Sequence, residues 1–191
     1  LHIKYGYLRG GRHCVVKIAS GFYDNPKLGL PSSQGLMLLF EQNTGCLAAI
    51  LLDDGRLTDI RTGAAGAVAA KWLAPKALHA IGIVGTGIQA RCQLEQLRQV
   101  TPCRQGLVWG RDPQHVESYL ADASAMGFAA SGCTTVEELA SRCNLIVTTT
   151  PAEAPLLEAA WIQAGTHITA VGADTPTKQE LSCEILQRAD H

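Results

Sequence analysis

The stretch 80–90 (AIGIVGTGIQA) constrains the fold of this chain more than any other part of the sequence. Residues 80–84 form a short apolar run with β-branched side chains, which predicts a buried strand. A glycine turn, GTGIQA at 85–90, follows directly, and the apolar spacing after it predicts a helix. Strand, glycine turn and helix are the context in which the pattern GxGxx(G/A) binds a dinucleotide. An ordinary turn between a strand and a helix is the alternative.

Three positions of this turn suit a bound pyrophosphate. Gly85 permits the tight turn, Gly87 lets the backbone approach the phosphates closely, and Ala90 lets the helix lie against the strand. The N–H groups at the helix start, together with the helix dipole, supply an anion site. The residues of the turn that we expect to contact a dinucleotide are Gly85, Thr86, Gly87, Ile88 and Gln89.

Beyond the turn, strands alternate with helices, which predicts an α/β fold with a doubly wound parallel sheet. Strands are predicted at 105–110, 128–131, 144–149 and 167–171, and helices at 113–126, 135–142 and 156–164. Ligands of open α/β sheets bind at the carboxyl ends of the strands. The residues expected to face the cofactor there are Thr149, Thr150, Val171 and Gly172.

Arg111 and Asp112 lie about 20 residues past the glycine turn, at the position that distinguishes the two pyridine dinucleotides. An acidic residue there accepts the ribose hydroxyls of NAD, whereas an arginine suits the 2′-phosphate of NADP. Asp112 followed by Pro113 is also typical of a helix N-cap with proline at the first helical position. We therefore expect both residues at an NAD(P) site, with a preference for NADP(H).

Residues 1 to about 76 predict a different architecture. Strand-like runs joined by turns imply a mainly antiparallel sheet. These runs are 1–8, 13–19, 35–41 and 46–52. A helix is then predicted from about residue 58 to 73, although Gly63 and Gly66 interrupt it. Glycine inside a helix costs about 1 kcal/mol relative to alanine, so both glycines indicate close approach of a ligand or another backbone, or else tight helix packing.

Three charged residues are candidates for substrate binding or chemistry. Lys17 lies mid-strand, on the face opposite Val16 and Ile18. Arg61 lies in the first turn of the predicted helix, where a cation opposes the helix dipole and can bind a carboxylate or a phosphate. Asp174 follows a predicted strand end on the nicotinamide side of such folds. Solvated surface charges, a salt bridge or a turn-forming aspartate are the alternatives.

Composition excludes several classes of function. A net charge of −1 over 191 residues provides no field for nucleic acid, and no apolar run approaches the roughly 18 residues of a membrane span. Seven scattered cysteines without CxxC favour reduced thiols in a cytoplasmic protein, and six histidines lack zinc-site spacing, so we expect no metal. The chain begins without methionine inside a strand-like run and stops where a further strand is expected. We therefore expect it to be part of a longer protein.

Four motifs, in their order and spacing, resemble the ornithine cyclodeaminase/mu-crystallin family over nearly the whole chain. They are VKIA at 16–19, LTDIRTGAA at 57–65, GTGIQA at 85–90 and VGADTPTKQEL at 171–181. The resemblance implies a homodimer with an α+β dimerisation and substrate domain at 1–76. It also implies a Rossmann-type NAD(P)-binding domain at 77–191, with parts of both domains outside this chain.

The resemblance also implies roles for individual residues. The lysine matching Lys17 and the arginine matching Arg61 bind the substrate carboxylate in this family. The aspartate matching Asp174 handles the substrate amine in the cyclodeaminases, and mu-crystallin-like members lack it. We therefore expect Lys17 and Asp174 to be catalytic, Lys17 and Arg61 to bind substrate, and Arg61 and Thr62 to contact the cofactor.

Several activities fit these residues. The first is a cyclodeaminase-like ammonia-lyase that acts on a small amino acid by hydride transfer at Cα, imine formation and loss of ammonia. The second is an NAD(P)-dependent amino-acid dehydrogenase or ketimine reductase, the latter acting on a cyclic imine. A non-catalytic NADP-dependent binder of small ligands is the third, and the sequence does not separate them.

Overall fold

The structure, a computed structural model, describes residues 1–22 and 24–190. The chain divides into two compact units, Leu1–Arg61 and Thr62–His191. Helix α1 (Arg56–Leu73) contains this division, so the predicted domain boundary near residue 76 stays a prediction. Within the described ranges, no helix combines the length and the apolar character needed to cross a membrane.

Four antiparallel strands build the first unit, as predicted. They are β1 (His2–Tyr7), β2 (His13–Gly21), β3 (Ser33–Glu41) and β4 (Leu47–Leu52). Each strand pairs with its neighbour in sequence, so the sheet order is β1-β2-β3-β4. The hairpin turn at 42–45 is closed by the Glu41 N–H, which donates to the Cys46 carbonyl at 2.9 Å.

Helix α1 begins at Arg56, earlier than predicted, because a capped turn precedes it. Gly55 has a φ of 86°, and the Asp53 carboxylate accepts a hydrogen bond from the Leu57 N–H at 2.6 Å. The predicted position of Arg61 in the first turn is therefore wrong. It lies in the second turn, where the helix dipole has little effect.

Five parallel strands build the second unit, which confirms the predicted α/β sheet. They are β5 (Ile81–Val84), β6 (Gln105–Trp109), β7 (Ala129–Gly132), β8 (Leu145–Thr148) and β9 (His167–Ala170). Their order is β7-β6-β5-β8-β9, and every residue of the central strand β5 and of its neighbour β8 is buried. The helices are α2 (Ile88–Leu97), α3 (Pro113–Ala125), α4 (Val136–Arg142) and α5 (Cys183–Gln187).

The glycines of α1 pack against α2. A Cβ on Gly63 would lie 2.7 Å from the carbonyl oxygen of Cys92, and one on Gly66 would overlap the Gln93 side-chain amide. Gln93 also donates its Nε2 hydrogen to the Thr62 carbonyl at 3.1 Å. Tight helix packing therefore accounts for both glycines.

The helix predicted at 156–164 is wrong. Only a short 3₁₀ turn, Ala159–Trp161, forms there. The N–H groups of Leu156 and Leu157 donate to the Glu180 carbonyl at 2.8 and 3.1 Å, and the Leu157 carbonyl accepts from the Ser182 N–H at 2.9 Å. This long-range pairing holds the segment extended, so tertiary contacts override its helical pattern.

Candidate functional site

The glycine turn has the geometry expected of a dinucleotide site. Gly85 has a φ of 114°, and Gly87 is the extended N-cap of α2. A Cβ on Gly87 would meet no atom of residues 1–22 or 24–190 within 4 Å, so the space beside it is open. Ala90 is fully buried. The residues present therefore fit a pyrophosphate, while their contact with a dinucleotide stays a prediction.

Arg91 binds the backbone of the glycine turn through its side chain. Its guanidinium donates to the carbonyl of Thr86, and to the carbonyl of Gly87 at 3.4 Å. Its Nε lies 2.6 Å from Asp122, and its guanidinium carbon lies 5.3 Å from the centroid of the Tyr119 ring. Sequence reasoning missed this residue, although a cation in the first turn of α2, against the helix dipole, was a usable signal.

Seven of the predicted cofactor residues of the second unit lie at the carboxyl edge of its sheet, whereas Thr62 lies in α1. The Gly85 N–H donates to the Trp109 carbonyl at 2.8 Å, and the Thr149 N–H donates to the Val84 carbonyl at 2.9 Å. The Val171 N–H donates to the Thr148 carbonyl at 2.9 Å. The residues gathered at this edge are Gly85, Thr86, Arg111, Thr149, Thr150, Val171 and Gly172.

Asp112 serves as the N-cap of α3, as its sequence context predicted. Its Oδ1 accepts a hydrogen bond from the Gln114 N–H at 2.9 Å, and Pro113 takes the first helical position. A Cβ on Gly110 would lie 2.7 Å from the Thr86 side chain, which places the following residue, Arg111, beside the glycine turn. The Arg111 side chain is exposed while Asp112 caps a helix, and the preference for NADP(H) stays a prediction.

Asp174 lies in a turn after β9, and its N–H donates to the Gly172 carbonyl at 3.1 Å. Its carboxylate pairs with Lys178, with Nζ and Oδ1 2.7 Å apart. The Asp174 side chain is 49% exposed, whereas the Lys178 side chain is only 9% exposed. An accessible carboxylate here can accept a proton or a hydrogen bond from a substrate amine. Sequence reasoning did not assign a role to Lys178.

In the first unit the structure brings Lys17 and Arg61 together. Burial lowers the pKa of Lys17, and the charges of Arg61 and Lys4 lower it further, while Asp53 acts in the opposite direction. The Lys17 Nζ donates to the Thr58 hydroxyl at 3.4 Å. Neighbouring cations repel one another, so a bound carboxylate would relieve this repulsion. The arrangement has the positive charge that binding of an anion requires, while such binding stays a prediction.

Predictions from the sequence also concerned metal ligands and the cysteines. Across residues 1–22 and 24–190, no three side chains of His, Cys, Asp or Glu converge as a metal site would require. No disulfide joins the cysteines of the described residues, which stand at 14, 46, 92, 103, 133, 143 and 183. Burial raises the pKa of the Cys143 thiol to about 12, so this thiol is unreactive near neutral pH.

Comparison with known proteins identifies the relatives of the chain. Residues 6–191 match the sequence model of the ornithine cyclodeaminase/mu-crystallin family. The chain is 44% identical over 189 residues to a Sinorhizobium fredii protein named an uncharacterized cyclodeaminase. That match covers 98% of this chain and 57% of the relative.

Two solved structures are similar over nearly the whole chain. One is the Thermococcus litoralis Δ1-pyrroline-2-carboxylate reductase in complex with NADH and L-proline, with 31% identity and a TM-score of 0.89. That likeness covers 96% of this chain and 57% of the reductase. The other is an archaeal alanine dehydrogenase dimer with bound NAD, with 36% identity, a TM-score of 0.87, and 99% and 61% coverage. The chain thus spans little more than half the length of these relatives, and the predicted fold class is confirmed.

Proposed function

Because the chain belongs to the ornithine cyclodeaminase/mu-crystallin family, we propose that it is an NAD(P)-dependent enzyme acting on a small amino acid or a cyclic imine. One observation carries this proposal: the glycine turn combines a positive φ at Gly85, open space beside Gly87 and a buried Ala90. Similar structures that hold NADH and NAD support a nicotinamide cofactor.

We propose the following division of the cofactor site. The N–H groups of the turn and of the start of α2 bind the pyrophosphate. Arg111 and Asp112 lie on the adenosine side, and Arg61 and Thr62 of α1 add further contacts. When bound, the nicotinamide supplies a hydride acceptor or donor at the substrate Cα. The residues of the pyrophosphate and nicotinamide sides are Gly85, Thr86, Gly87, Ile88, Gln89, Thr149, Thr150, Val171 and Gly172.

Lys17 and Arg61 bind the substrate carboxylate in this proposal and thereby orient Cα. Fixing the carboxylate limits the substrate to geometries in which the Cα–H bond points at its hydride acceptor. Asp174 accepts a proton from the α-ammonium group, so the nitrogen lone pair can form the C=N bond as hydride leaves. The result is an imine with its carboxylate still held.

The fate of that imine defines the activity. In a cyclodeaminase a side-chain amine attacks the imine carbon, ammonia leaves, and the cyclic imine takes hydride back, so no cofactor is consumed. We propose this as the first candidate, supported by the name of the Sinorhizobium relative. Attack by water gives a dehydrogenase, and reduction of a preformed cyclic imine gives a reductase; the two solved relatives support these alternatives.

A screen of basic amino acids and cyclic imines with both cofactors tests the proposal. Ammonia release without net change in reduced nicotinamide identifies a cyclodeaminase. Net oxidation or reduction identifies a dehydrogenase or a reductase. A rise in melting temperature with nucleotide but no turnover of any compound would contradict the enzyme and leave a binder.

We also propose a homodimer in the cytoplasm. All residues of β1, an edge strand, are exposed, including the apolar side chains of Ile3, Tyr5 and Tyr7. Exposed apolar edges favour pairing with a second chain. The alanine dehydrogenase dimer supports such an assembly. Cysteines that form no disulfide in the described part of the chain suit a reducing compartment. Light scattering of the full chain measures its mass directly.

The affinity for a carboxylate substrate should weaken as pH rises. The loss should begin at a lower pH than it would with a lysine of ordinary pKa. The pKa of Lys17 is lowered by burial, Arg61 and Lys4. Its ammonium form is therefore present below this lowered pKa and is lost above it. The apparent KM for substrate, measured through the alkaline range, reports this loss.

Lys17→Arg is the matched variant, because a guanidinium keeps its charge throughout that range. The alkaline rise in KM should disappear in this variant. A rise at the same pH in both proteins would show that another group titrates.

Arg111→Gln should weaken NADPH binding about 10- to 100-fold, the effect of losing hydrogen bonds between charged groups. NADH lacks the 2′-phosphate, so its affinity should change little. Dissociation constants for both cofactors, measured by fluorescence titration, check this. Arg98→Gln removes another exposed arginine of the same unit and serves as the control. Equal losses for both cofactors would contradict the assigned role.

A further inference from the structure

Glu180 is a buried carboxylate without a role in the mechanism above. Its residue is only 1% exposed. Oε2 accepts hydrogen bonds from the Thr148 hydroxyl at 2.8 Å and the Gly172 N–H at 2.7 Å. Oε1 accepts from the N–H and the hydroxyl of Thr150 at 2.5 and 2.8 Å. Both oxygens are therefore engaged by groups from elsewhere in the chain.

These donors come from two different strand ends. Thr148 ends β8 and Thr150 follows it, whereas Gly172 follows β9. A single carboxylate thus ties the two segments together at the carboxyl edge of the sheet. This edge is where ligands of open α/β sheets bind.

The backbone around Glu180 is fixed as well. The Glu180 carbonyl accepts from the N–H groups of Leu156 and Leu157, and the Gln179 N–H donates to the Ala152 carbonyl at 2.7 Å. The carboxylate therefore has little freedom to move away from its donors. Its position is set before any ligand arrives.

Gly172 has no room for a side chain beside this carboxylate. A Cβ there would lie 2.6 Å from the Thr150 nitrogen and 2.7 Å from the Glu180 carboxyl carbon. The two strand ends are thus packed directly around the carboxylate. The Gly172–Glu180 hydrogen bond also closes a loop, 172–180, that contains the Asp174–Lys178 ion pair.

We propose that Glu180 is a positioning residue, which fixes the segments after β8 and β9 and so sets the nicotinamide side of the site and the place of Asp174. The proposal rests on the proposed function. This role differs from a contribution to general stability, because it affects the nicotinamide side of the cofactor site only. The glycine turn on the pyrophosphate side is also held by Arg91, which donates to the Thr86 carbonyl, and Arg111 on the adenosine side lies beside Thr86.

Glu180→Gln tests this inference, because it keeps the side-chain shape but turns one acceptor into a donor that faces other donors. In the full chain, we expect NADPH and NADH to bind about tenfold more weakly or worse, the effect of breaking hydrogen bonds to a charged acceptor. Binding of ADP-ribose and its 2′-phosphate, which lack nicotinamide, should stay within about twofold of the original. In Glu180→Gln, kcat should change by a larger factor than the KM for the amino acid. Glu180→Asp keeps the charge and should recover part of the lost affinity.

Two further variants keep the test decisive. Thr148→Val removes a single donor to Glu180 with little change in shape. It should show the same pattern of binding with a smaller loss of affinity, and it replaces Glu180→Gln if that variant does not fold. Glu184 is an exposed glutamate in α5, so Glu184→Gln should change neither the affinity for the dinucleotides nor that for ADP-ribose.

The outcomes separate the two proposals. Equal weakening of NADPH and ADP-ribose, or unchanged binding and kcat in Glu180→Gln and Thr148→Val, would overturn the role of Glu180 alone. Failure of the unmodified chain to bind any of these nucleotides would overturn the proposed function and this inference with it.

Discussion

Asp174→Asn is expected to lower kcat about 10²- to 10⁴-fold, the range typical of losing a general base. An asparagine amide cannot take the proton of the substrate ammonium group, so formation of the C=N bond would lack its acceptor. The carboxylate is 49% exposed in the turn after β9, and its partner Lys178 lies 2.7 Å away. The Lys178 side chain is only 9% exposed, so losing its carboxylate partner should also lower the free energy of unfolding.

The rate with the best substrate of the screen, together with the affinity for NADPH, checks this expectation. Asp24→Asn is a control for the loss of a carboxylate outside the site, since Asp24 forms an exposed pair with Lys27 at 2.6 Å. That control should leave the rate unchanged. Retention of the full rate in Asp174→Asn would favour another base or a protein that only binds its ligands.

Gly85→Ala is expected to cost about 2–5 kcal/mol of unfolding free energy and most of the affinity for dinucleotide. The φ of 114° at Gly85 is strained for any residue with a Cβ. In addition, the new Cβ would lie 2.6 Å from the Thr149 hydroxyl, so either the turn or the segment after β8 must move. Both changes would displace the N–H groups that we propose to bind the pyrophosphate.

Gly127→Ala separates conformational strain from contact in this experiment. Gly127 has a φ of 87°, but a Cβ there would meet nothing within 4 Å in the described part of the chain. We expect this control to cost about 1 kcal/mol and to leave nucleotide affinity intact. Denaturant unfolding and nucleotide titration of both variants provide the comparison. Equal effects of the two substitutions on affinity would contradict the role of the glycine turn.

Local signals were enough to predict much of this fold. The run β5, glycine turn and α2 carries its own pattern of apolar residues and glycines, and the Asp112–Pro113 cap was readable from two adjacent residues. Alternation of strands and helices then implied parallel pairing. The antiparallel hairpins of the first unit followed from short turns between strand-like runs.

Where the sequence misled, distant partners were responsible. The apolar spacing at 156–164 suited a helix, but hydrogen bonds with Glu180 and Ser182 hold Leu156 and Leu157 extended. The start of α1 was predicted two residues too late, which put Arg61 in the first turn instead of the second, because the cap at Asp53 could not be distinguished from a strand end.

Glu180 and Lys178 show the same limit in the candidate site. The donors to Glu180 lie 8 to 32 positions away in sequence, so no local pattern predicts a buried carboxylate there. Lys178 stands in a polar stretch that resembles any solvated loop. In contrast, the cation of Arg91 in the first turn of α2 was visible in the sequence, and its meaning required the Thr86 carbonyl beside it.

Amide hydrogen exchange of the full chain, with and without saturating NADPH or NADH, tests most directly whether a pyridine dinucleotide binds across the glycine turn. We predict slower exchange at residues 85–91 and at the segments after β8 and β9, 148–151 and 171–173. A nucleotide that binds but leaves these segments unchanged, or that does not bind at all, would contradict the central claim.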